Sequence, residues 1–246
     1  MADLEDAVAP AQKEQAREVL QAAFTAGDPA AALRVVRVNG ADSRWFAGDV
    51  ALVGSLAPDA IVLPKATPAA VAPLPLDVPP VIAIVETAQG LRSAYETAED
   101  PRVVALALGA VDLGAELGLE PRQDALEILY ARSKVVTDSA AAGIRAPFDV
   151  VRLDYSDSAA LEAECRLARS LGFRGKLCIH PAQIPVVNRV FAPTDEEVAW
   201  ARRVVEAFER AESEGTGVFG LDGTMIDLPV VARARRVLQE AKGASG

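Results

Sequence analysis

Two stretches, VIAIVETAQGL at residues 81–91 and VVALALGAVDLGAEL at residues 103–117, decide how this chain folds. Each begins with a short apolar run, and β-branched runs of this length are typical of fully buried strands. Glu86 closes the first run, and the second is followed by a glycine and then by Asp112. The two acids are 26 residues apart, the length of one strand–helix unit with its loops. This spacing predicts neighbouring parallel strands.

The two acids are expected at one edge of the sheet, because parallel strands all end on the same side. Adjacent strands lie about 4.8 Å apart, so the carboxylates of Glu86 and Asp112 can converge on one cation. Mg²⁺ is usually held by one or two protein carboxylates, with water and substrate completing its octahedron. The pair therefore indicates a magnesium site. In the alternative, which stays open, each acid caps a following helix.

Composition limits the classes of protein to consider. The chain has 246 residues, of which 51% are hydrophobic and 24% charged, enough for one large core. A net charge of −10 argues against a nucleic-acid partner. The lack of any apolar run of about 18 residues argues against a membrane span. Cys165 and Cys178 suggest neither a zinc site nor a disulfide framework, so we expect a cytoplasmic protein.

Strand and helix patterns alternate along the chain. We predict strands near residues 33–38, 60–63, 81–86, 103–108, 149–153 and 176–179. Residues 1–4 form at most a further fragment. Repeated strand–helix units with buried strands favour a parallel sheet covered by helices. A (β/α)8 barrel over residues 1–213 fits best, followed by a lid and a helix over residues 214–246. A doubly wound sheet is the second choice, although no GxGxxG follows a strand.

Barrels of this kind carry their chemistry at the carboxyl ends of the strands. The polar residues at the predicted strand ends are Glu5, Asp6, Arg37, Asn39, Lys65, Glu86, Asp112, Asp154 and His180. This set exceeds what a scaffold requires and predicts a ligand site. The alternative is a polar ring that only solvates the starts of the loops.

Seven segments, in chain order, carry a resemblance to a known family: DLEDAVAPAQKEQAR, VRVNG, LPKA, IAIVETAQGL, LALGAVDLGAELG, GKLCIHPAQI and FAPTDEEVAWARRVVEAF. The chain resembles the citrate lyase β-subunit-like proteins of the HpcH/HpaI aldolase group, which are relatives of malyl-CoA and citramalyl-CoA lyases. The resemblance implies an α/β fold of the (β/α)8 TIM-barrel type. It also implies Mg²⁺-dependent cleavage or formation of a carbon–carbon bond next to a thioester carbonyl.

The resemblance also implies roles for residues of the barrel. Glu86 and Asp112 match the metal ligands of the family. Arg37 matches the arginine that grips the carboxylate of the substrate. Ile179 and His180 match positions that line the acyl-thioester site. These assignments extend the magnesium site to a complete substrate site.

A last role falls on the tail. LDGTMID at residues 221–227 matches a lid motif whose final acid, Asp227, serves as acid/base in the acyl-CoA lyase relatives. Residues 215–227 are Gly-rich without a helical pattern, which is typical of a mobile lid that excludes water. Such lids can cover a neighbouring subunit, so we expect a homo-oligomer, a trimer, in which Asp227 approaches the acids of another chain. In the alternative, Asp227 only caps the final helix.

The chemistry of the side chains agrees with the implied roles. Mg²⁺ can polarise the oxygen of a forming keto acid, and an arginine fork matches a carboxylate as lysine does not. For Arg37, the alternative is a structural ion pair with Glu5 or Asp6. For His180, the alternative is a satisfied histidine at a strand end. Lys65 as a Schiff-base lysine is the weaker choice beside a metal pair.

The beginning of the chain departs from the family pattern. Relatives begin one strand and one helix earlier, with an RS-x-L-FVPG-like motif that is absent here. We therefore expect an N-terminally incomplete barrel, with a gap flanked by the strands that contain Ile179 and Val36. Two classes of function stay open. One is a lyase that acts on an acyl-CoA or acyl-carrier thioester and releases a keto acid, and the other is a non-catalytic barrel subunit.

Overall fold

The structure is a computed structural model that describes residues 1–27, 33–213, 219–221 and 223–243. The chain forms two compact units, Met1–Ile184 and Pro185–Gly246, which are described separately. Residues 214–218 and 222 of the predicted lid lie outside the described residues. The predicted functional boundary after residue 213 therefore stays a prediction.

Seven parallel strands form one sheet in the first unit, and their spatial order is their order along the chain. They are β1 (Ala2–Asp3), β2 (Val35–Arg37), β3 (Ala60–Leu63), β4 (Val81–Val85), β5 (Val103–Leu108), β6 (Arg145–Asp149) and β7 (Gly175–Lys176). Parallel strands in sequential order, joined through helices, are the arrangement of a (β/α) barrel. The sheet is an incomplete barrel, and it confirms the predicted fold class.

Helices connect the strands and also build the second unit. The helices are α1 (Lys13–Ala26), α2 (Phe46–Leu56), α3 (Pro68–Val71), α4 (Ala88–Arg92), α5 (Ala94–Ala98), α6 (Ala110–Leu117), α7 (Leu129–Ala141), α8 (Ser158–Leu171), α9 (Ile184–Phe191), α10 (Asp195–Ser213) and α11 (Leu228–Gly243). Short 3-10 helices cover Pro10–Gln12, Leu126–Ile128 and Pro181–Gln183. Among the described residues, no helix combines the length and apolar character needed to cross a membrane.

The central strands are buried on both faces, which explains their continuous aliphatic sequences. Leu63 and Val85 belong to the large cluster that the sheet forms with the helices. Val62, Ile84 and Ala107, from alternate positions of β3, β4 and β5, form a smaller cluster. Because neighbouring strands are packed on both sides, the residues that follow them are held together at the carboxyl-terminal end of the sheet.

β6 begins earlier than predicted. It covers Arg145–Asp149, whereas the sequence pattern placed this strand at residues 149–153. The strand contains Pro147, which has no N–H group to donate to a ladder, so residues 145–148 lack a typical strand sequence. The pairing of β5 with β6 shifts register between Ala105 and Ala107, and this irregularity accommodates the proline.

β7 is also shorter than the predicted strand at residues 176–179, because it ends at Lys176. Beyond it, the N–H groups of Ile179 and His180 donate to the Gln183 side chain at 2.9 and 3.3 Å. The backbone therefore leaves the ladder and enters a helical turn.

One of the two edges of the sheet differs from the one predicted. In the described chain the edge strands are β1 and β7, each only two residues long. Val36 does not lie at an edge, because it pairs with Ala2. The strand predicted at residues 176–179 corresponds to β7 and lies at an edge as predicted, although it ends before Ile179. The prediction that residues 1–4 form only a strand fragment is confirmed.

The second unit packs two long helices against a small hairpin. β8 (Phe219–Leu221) and β9 (Thr224–Ile226) are antiparallel. Ile226 is buried in a cluster with Val204 and Phe208 of α10 and with Val231 of α11. The apolar side of the hairpin thus holds the last helix against α10.

Candidate active site

Glu86 is the buried acid at the centre of the predicted site. It directly follows β4 and is 5% exposed. Its Oε1 accepts a hydrogen bond of 2.8 Å from the backbone N–H of Lys65, which follows β3. Lys65 has a left-handed backbone with φ of 49°, a conformation that costs a non-glycine residue about 1 kcal/mol. The strained turn after β3 therefore places the Lys65 N–H where it orients the Glu86 carboxylate.

Gly109 closes the other side of Glu86. A Cβ atom at position 109 would lie 2.5 Å from the Glu86 Cβ and 2.7 Å from its Oε2. It would also lie 3.0 Å from Cγ2 of Ile84. Only glycine therefore fits between the end of β5 and the carboxylate.

Neither acid acts as a helix cap, so the capping alternative is wrong. The cap of α4 is Thr87, whose side chain accepts from the N–H of Gly90 at 2.9 Å. α6 has Gly109 at its N-cap and no side-chain capping hydrogen bond. Asp112 lies in the first turn of α6 and is exposed.

The two acids influence each other electrostatically. Burial, together with the nearby charges of Asp112 and Glu5, raises the pKa of Glu86 from an ordinary value of 4.5 to about 7, against the opposing hydrogen bond and charge of Lys65. Glu86 and Asp112 thus lie past the carboxyl ends of neighbouring strands, and Lys65 offsets their mutual repulsion only in part. A bound dication would relieve that repulsion.

The protein supplies only part of a metal coordination shell here. Within the described ranges, no group of three or more His, Cys, Asp or Glu side chains is placed to hold a metal ion. Two carboxylates nevertheless fit Mg²⁺, because that ion commonly keeps several water or substrate oxygens as ligands. The donor set is therefore compatible with Mg²⁺ only if water or substrate oxygens supply the remaining ligands.

Arg37 is held by three acids in the structure. Its guanidinium makes a bidentate pair with Asp3 at 2.9 and 2.5 Å and approaches Glu5 at 2.9 Å and Asp6 at 3.7 Å. The ion pair named as the alternative role of Arg37 is therefore present. Asp3 was missed from the sequence, because only the pairing of β1 with β2 places it opposite Arg37.

Glu5 joins the Arg37 cluster to the Glu86 region. It is buried, and burial raises its pKa to about 7 although the Arg37 charge opposes the shift. Its Oε1 lies 3.9 Å from Nζ of Lys65, whose backbone holds Glu86. The residues after β1, β2, β3 and β4 therefore form one charged cluster.

Asn39 and Lys13 form a buried hydrogen-bond network that contacts this cluster through the Glu5 carbonyl. The ammonium group of Lys13, which is buried, donates to the carbonyls of Leu4 and Glu5 and to Oδ1 of Asn39, each at 2.7 Å. Asn39 donates to Asp49 and to the Leu4 carbonyl. Lys13 was missed because its helical pattern gives no sign that its ammonium group reaches the sheet.

His180 lies after β7, as predicted, whereas Ile179, predicted as the last residue of that strand, also lies beyond it. The contacts of both residues are local. Nδ1 of His180 accepts from the N–H of Ala182 at 3.1 Å, and the Gln183 side chain completes a reciprocal capping box. The imidazole stacks on Tyr155 with ring centroids 4.5 Å apart. Ile179 is half exposed. The satisfied histidine named as the alternative is present, and the spacing of His180 and Gln183 could have revealed the cap.

Asp154 and Asp227 are the remaining predicted site residues. Asp154 accepts from the N–H and hydroxyl of Ser156, which fixes the turn after β6. Asp227 belongs to the second unit, where its Oδ1 accepts from the N–H of Val230 at 3.2 Å and so caps α11. The capping alternative for Asp227 is therefore present, and its catalytic role stays a prediction.

Comparison with known proteins identifies the family. The sequence profile of the HpcH/HpaI aldolase/citrate lyase family matches residues 1–73 and 77–181. The chain belongs to this family. This result confirms the resemblance, and it supports a lyase-type enzyme at the level of the HpcH/HpaI family.

Individual HpcH/HpaI relatives carry more than one activity in their names. The (3S)-malyl-CoA thioesterase of Cereibacter sphaeroides is 38% identical, over 98% of this chain and 85% of its own. The citrate lyase subunit beta of Escherichia coli K12 is 36% identical, over 98% and 85%. CitE of Mycobacterium tuberculosis, solved with magnesium, acetoacetate and coenzyme A, is 39% identical with a TM-score of 0.81, over 98% of this chain and 88% of that one.

Proposed function

We propose that this protein is a Mg²⁺-dependent carbon–carbon lyase, or the reverse condensing enzyme, for a 3-hydroxyacyl thioester such as malyl-CoA, citramalyl-CoA or a citryl thioester. The products are a keto acid and a shorter acyl thioester. The observation that carries the proposal is the Glu86–Asp112 pair, in which burial and the nearby charges of Asp112 and Glu5 raise the pKa of Glu86 to about 7 although Lys65 opposes the shift. The magnesium, coenzyme A and acetoacetate in the CitE complex support these ligand classes.

In this proposal Glu86 and Asp112 hold the metal. Mg²⁺ would polarise the oxygen of the keto-acid half of the substrate. The Lys65 N–H and the absence of a side chain at Gly109 keep the Glu86 carboxylate in one orientation. The chain thus prepares one ligand rigidly and leaves Asp112 exposed on a helix.

Arg37 would bind the carboxylate of the substrate. Its guanidinium is already orientated by Asp3 and Glu5, so binding requires the substrate to share or replace one of these partners. Ile179 and His180 would border the thioester arm, because Ile179 is exposed beside the fixed imidazole. Asp227 would deliver or remove the proton from a lid contributed by another subunit of a cytoplasmic homotrimer.

A second candidate is hydrolysis of the thioester. The 38% identity to proteins named (3S)-malyl-CoA thioesterase favours it. In that reaction water attacks the thioester carbonyl and the thiol leaves, whereas the lyase reaction keeps the thioester and breaks the carbon–carbon bond. The two activities therefore differ in whether a free thiol appears.

One assay separates these activities. The protein is incubated with malyl-CoA and Mg²⁺, and glyoxylate and free CoA thiol are measured together, with citramalyl-CoA and citryl-CoA tested in parallel. A lyase yields a keto acid with no free thiol, and a thioesterase yields free thiol with no keto acid. If none of these thioesters yields either product, both proposals are contradicted and a non-catalytic subunit remains. Asp112→Asn and an excess of chelator are the controls.

The shared lid has its own test. Asp227→Ala chains and Glu86→Gln chains, each inactive alone, are unfolded together and refolded as mixed oligomers. Regained activity is expected if Asp227 serves a neighbouring subunit. Mixed oligomers that form but remain inactive would contradict a lid that acts between subunits.

A further inference from the structure

A buried acid of the charged cluster, Glu5, has no step in the proposed reaction. It follows β1 and is 7% exposed. Its backbone is fixed on both sides, because its N–H donates to Oδ1 of Asp3 at 2.8 Å and its carbonyl accepts from Nζ of Lys13 at 2.7 Å. The chain therefore holds this carboxylate at the carboxyl end of the sheet, where parallel barrels carry their chemistry.

The side chain of Glu5 keeps an acceptor available. Its Oε2 is buried and accepts no hydrogen bond within the described part of the chain. Nη1 of Arg37 lies 2.9 Å away, but this contact is an ion pair without hydrogen-bond geometry. A buried acceptor that is left unsatisfied costs about 1–3 kcal/mol. A hydroxyl or N–H donor of a bound molecule would recover this free energy.

The other acids beside Arg37 offer no comparable acceptor. Asp3 accepts from Nε and Nη2 of Arg37 and also from the Glu5 N–H. Burial raises the pKa of Asp3, but these hydrogen bonds bring it below its ordinary value. Asp6 lies 3.7 Å from Arg37 with a side chain that is 69% exposed. Burial and the nearby acids raise the pKa of Glu5 to about 7 against the charge of Arg37, which suits a general base near neutral pH.

The proposed substrates carry a hydroxyl next to the carboxylate that Arg37 would bind. In malyl-CoA, citramalyl-CoA and citryl thioesters, the carbon that bears the 3-hydroxyl also bears a carboxylate. A carboxylate bound to Arg37 therefore brings the hydroxyl within one carbon atom of the bound group. Oε2 of Glu5 already contacts the same guanidinium. The substrate hydroxyl is thus the donor that this acceptor would meet.

We infer that Glu5 is the general base that removes the proton of the substrate hydroxyl, an inference that rests on the proposed lyase reaction. Oε2 takes the proton, the hydroxyl oxygen becomes the keto oxygen, and the bond between carbons 2 and 3 of the acyl group breaks. Its electron pair moves onto the thioester as an enolate, which takes a proton at carbon from Asp227 of the lid. Glu5 then gives its proton to water and Asp227 regains one, so the products are the keto acid and the shorter thioester.

Turnover and binding are measured separately to test this role. The full chain is incubated with Mg²⁺ and malyl-CoA, citramalyl-CoA or citryl-CoA, and keto-acid release gives kcat. Calorimetric titration with Mg²⁺ and the matching keto acid gives the affinity. Glu5→Gln keeps the size of the side chain and should lower kcat at least about a hundredfold without weakening keto-acid binding. Glu14→Gln, at an exposed position of α1, is the matched control and should change neither.

Glu5→Asp keeps the test decisive if Glu5→Gln does not fold. This variant retains the charge beside Arg37 but withdraws the carboxylate by one methylene group, so kcat should fall at least about tenfold while keto-acid affinity is kept. Wild-type kcat in either variant would overturn the inference. A loss of keto-acid affinity equal to the loss of kcat would also overturn it, because Glu5 would then only orient Arg37. An inactive wild-type chain would instead contradict the lyase reaction itself, so the two failures are distinguished.

Discussion

Two buried carboxylates at the carboxyl ends of strands in the same sheet have very different partners in this chain. Asp149, at the end of β6, receives two hydrogen bonds from Arg132 and one from Lys176. Glu86, after β4, receives one from a backbone N–H and is approached by the like charges of Asp112 and Glu5. The two side chains are almost equally buried, at 0% and 5% exposure. Their settings therefore differ in the charge of their partners, which is cationic at Asp149 and largely acidic at Glu86.

The contrast separates a structural ion from one that is available for binding. A buried carboxylate with two cationic partners fixes the elements that carry it, because removing either partner leaves a buried charge. A buried carboxylate with acidic neighbours has a raised pKa and needs either a proton or an added cation. Perturbed acids of this second kind are concentrated at functional sites.

Removing the charge of Asp149 should give the largest effect on stability. Asp149→Asn leaves Arg132 buried without its counterion and Lys176 with only Glu164, and breaking a buried pair typically costs about 3–5 kcal/mol. Urea unfolding measures the loss. Asp124→Asn, in the exposed pair with Arg122, is the matched control and should change little. Equal effects of the two changes would erase the contrast.

Removing the charge of Glu86 should stabilise the metal-free protein at high pH. The folded-state pKa of about 7 exceeds the ordinary value of 4.5, so the folded state binds more protons between these values and loses stability as pH rises through 7. Glu86→Gln should therefore exceed the wild type by about 3 kcal/mol near pH 8, with no difference below about pH 4. Unfolding with chelator across this range checks the sign, and a destabilised variant at pH 8 would refute it.

The exposed partner should matter for the metal rather than for the fold. Asp112→Asn should weaken Mg²⁺ binding at least a hundredfold, about 2.7 kcal/mol, while the unfolding transition stays in place. Calorimetric titration with Mg²⁺ measures this change. Glu116→Gln, one turn further along α6, is the control and should bind like the wild type. Retained affinity in Asp112→Asn would remove Asp112 from the metal site.

Gly109→Ala tests whether the position of Glu86 is fixed by close packing. The added Cβ collides with the Glu86 side chain, and overpacking of this kind costs about 1–3 kcal/mol. Stability and Mg²⁺ affinity should both fall in unfolding and titration experiments. At Gly114 an added Cβ meets only Leu119 at 3.9 Å, so Gly114→Ala should be tolerated. Equal tolerance at position 109 would show that Glu86 has room to move.

The smallest effect is expected at Arg37, whose setting is intermediate between the paired Asp149 and the Glu86 site with its acidic neighbours. Arg37→Lys keeps the charge near Glu5 but loses the bidentate fork, so keto-acid binding with Mg²⁺ present should weaken about tenfold, or 1.4 kcal/mol. Oxaloacetate titration measures it, with Arg92→Lys as the exposed control. Unchanged binding would leave Arg37 with only its ion pair to Asp3.

The sequence was sufficient where chemistry and local pattern coincide. Short aliphatic runs predicted the strands. Glu86, directly after β4, and Asp112, in the first turn of the helix after β5, follow the same end of the sheet because parallel strands end together. The position of β6 was predicted wrongly because Pro147 is atypical of a strand. The structure accommodates this proline where the pairing of β5 with β6 shifts register. The partners of Asp149 lie 17 and 27 residues away, and no local period indicates such a pairing.

The two-residue strands at the edges of the sheet have a consequence for how copies of this protein meet. A free sheet edge is a template on which another chain can add a strand, and very short edge strands are one way in which proteins prevent this addition. β1 and β7 each present only two residues to such a partner. Concentrated protein should therefore associate through side chains on its helices, and fibres that grow by strand addition should not nucleate at either edge of the folded sheet.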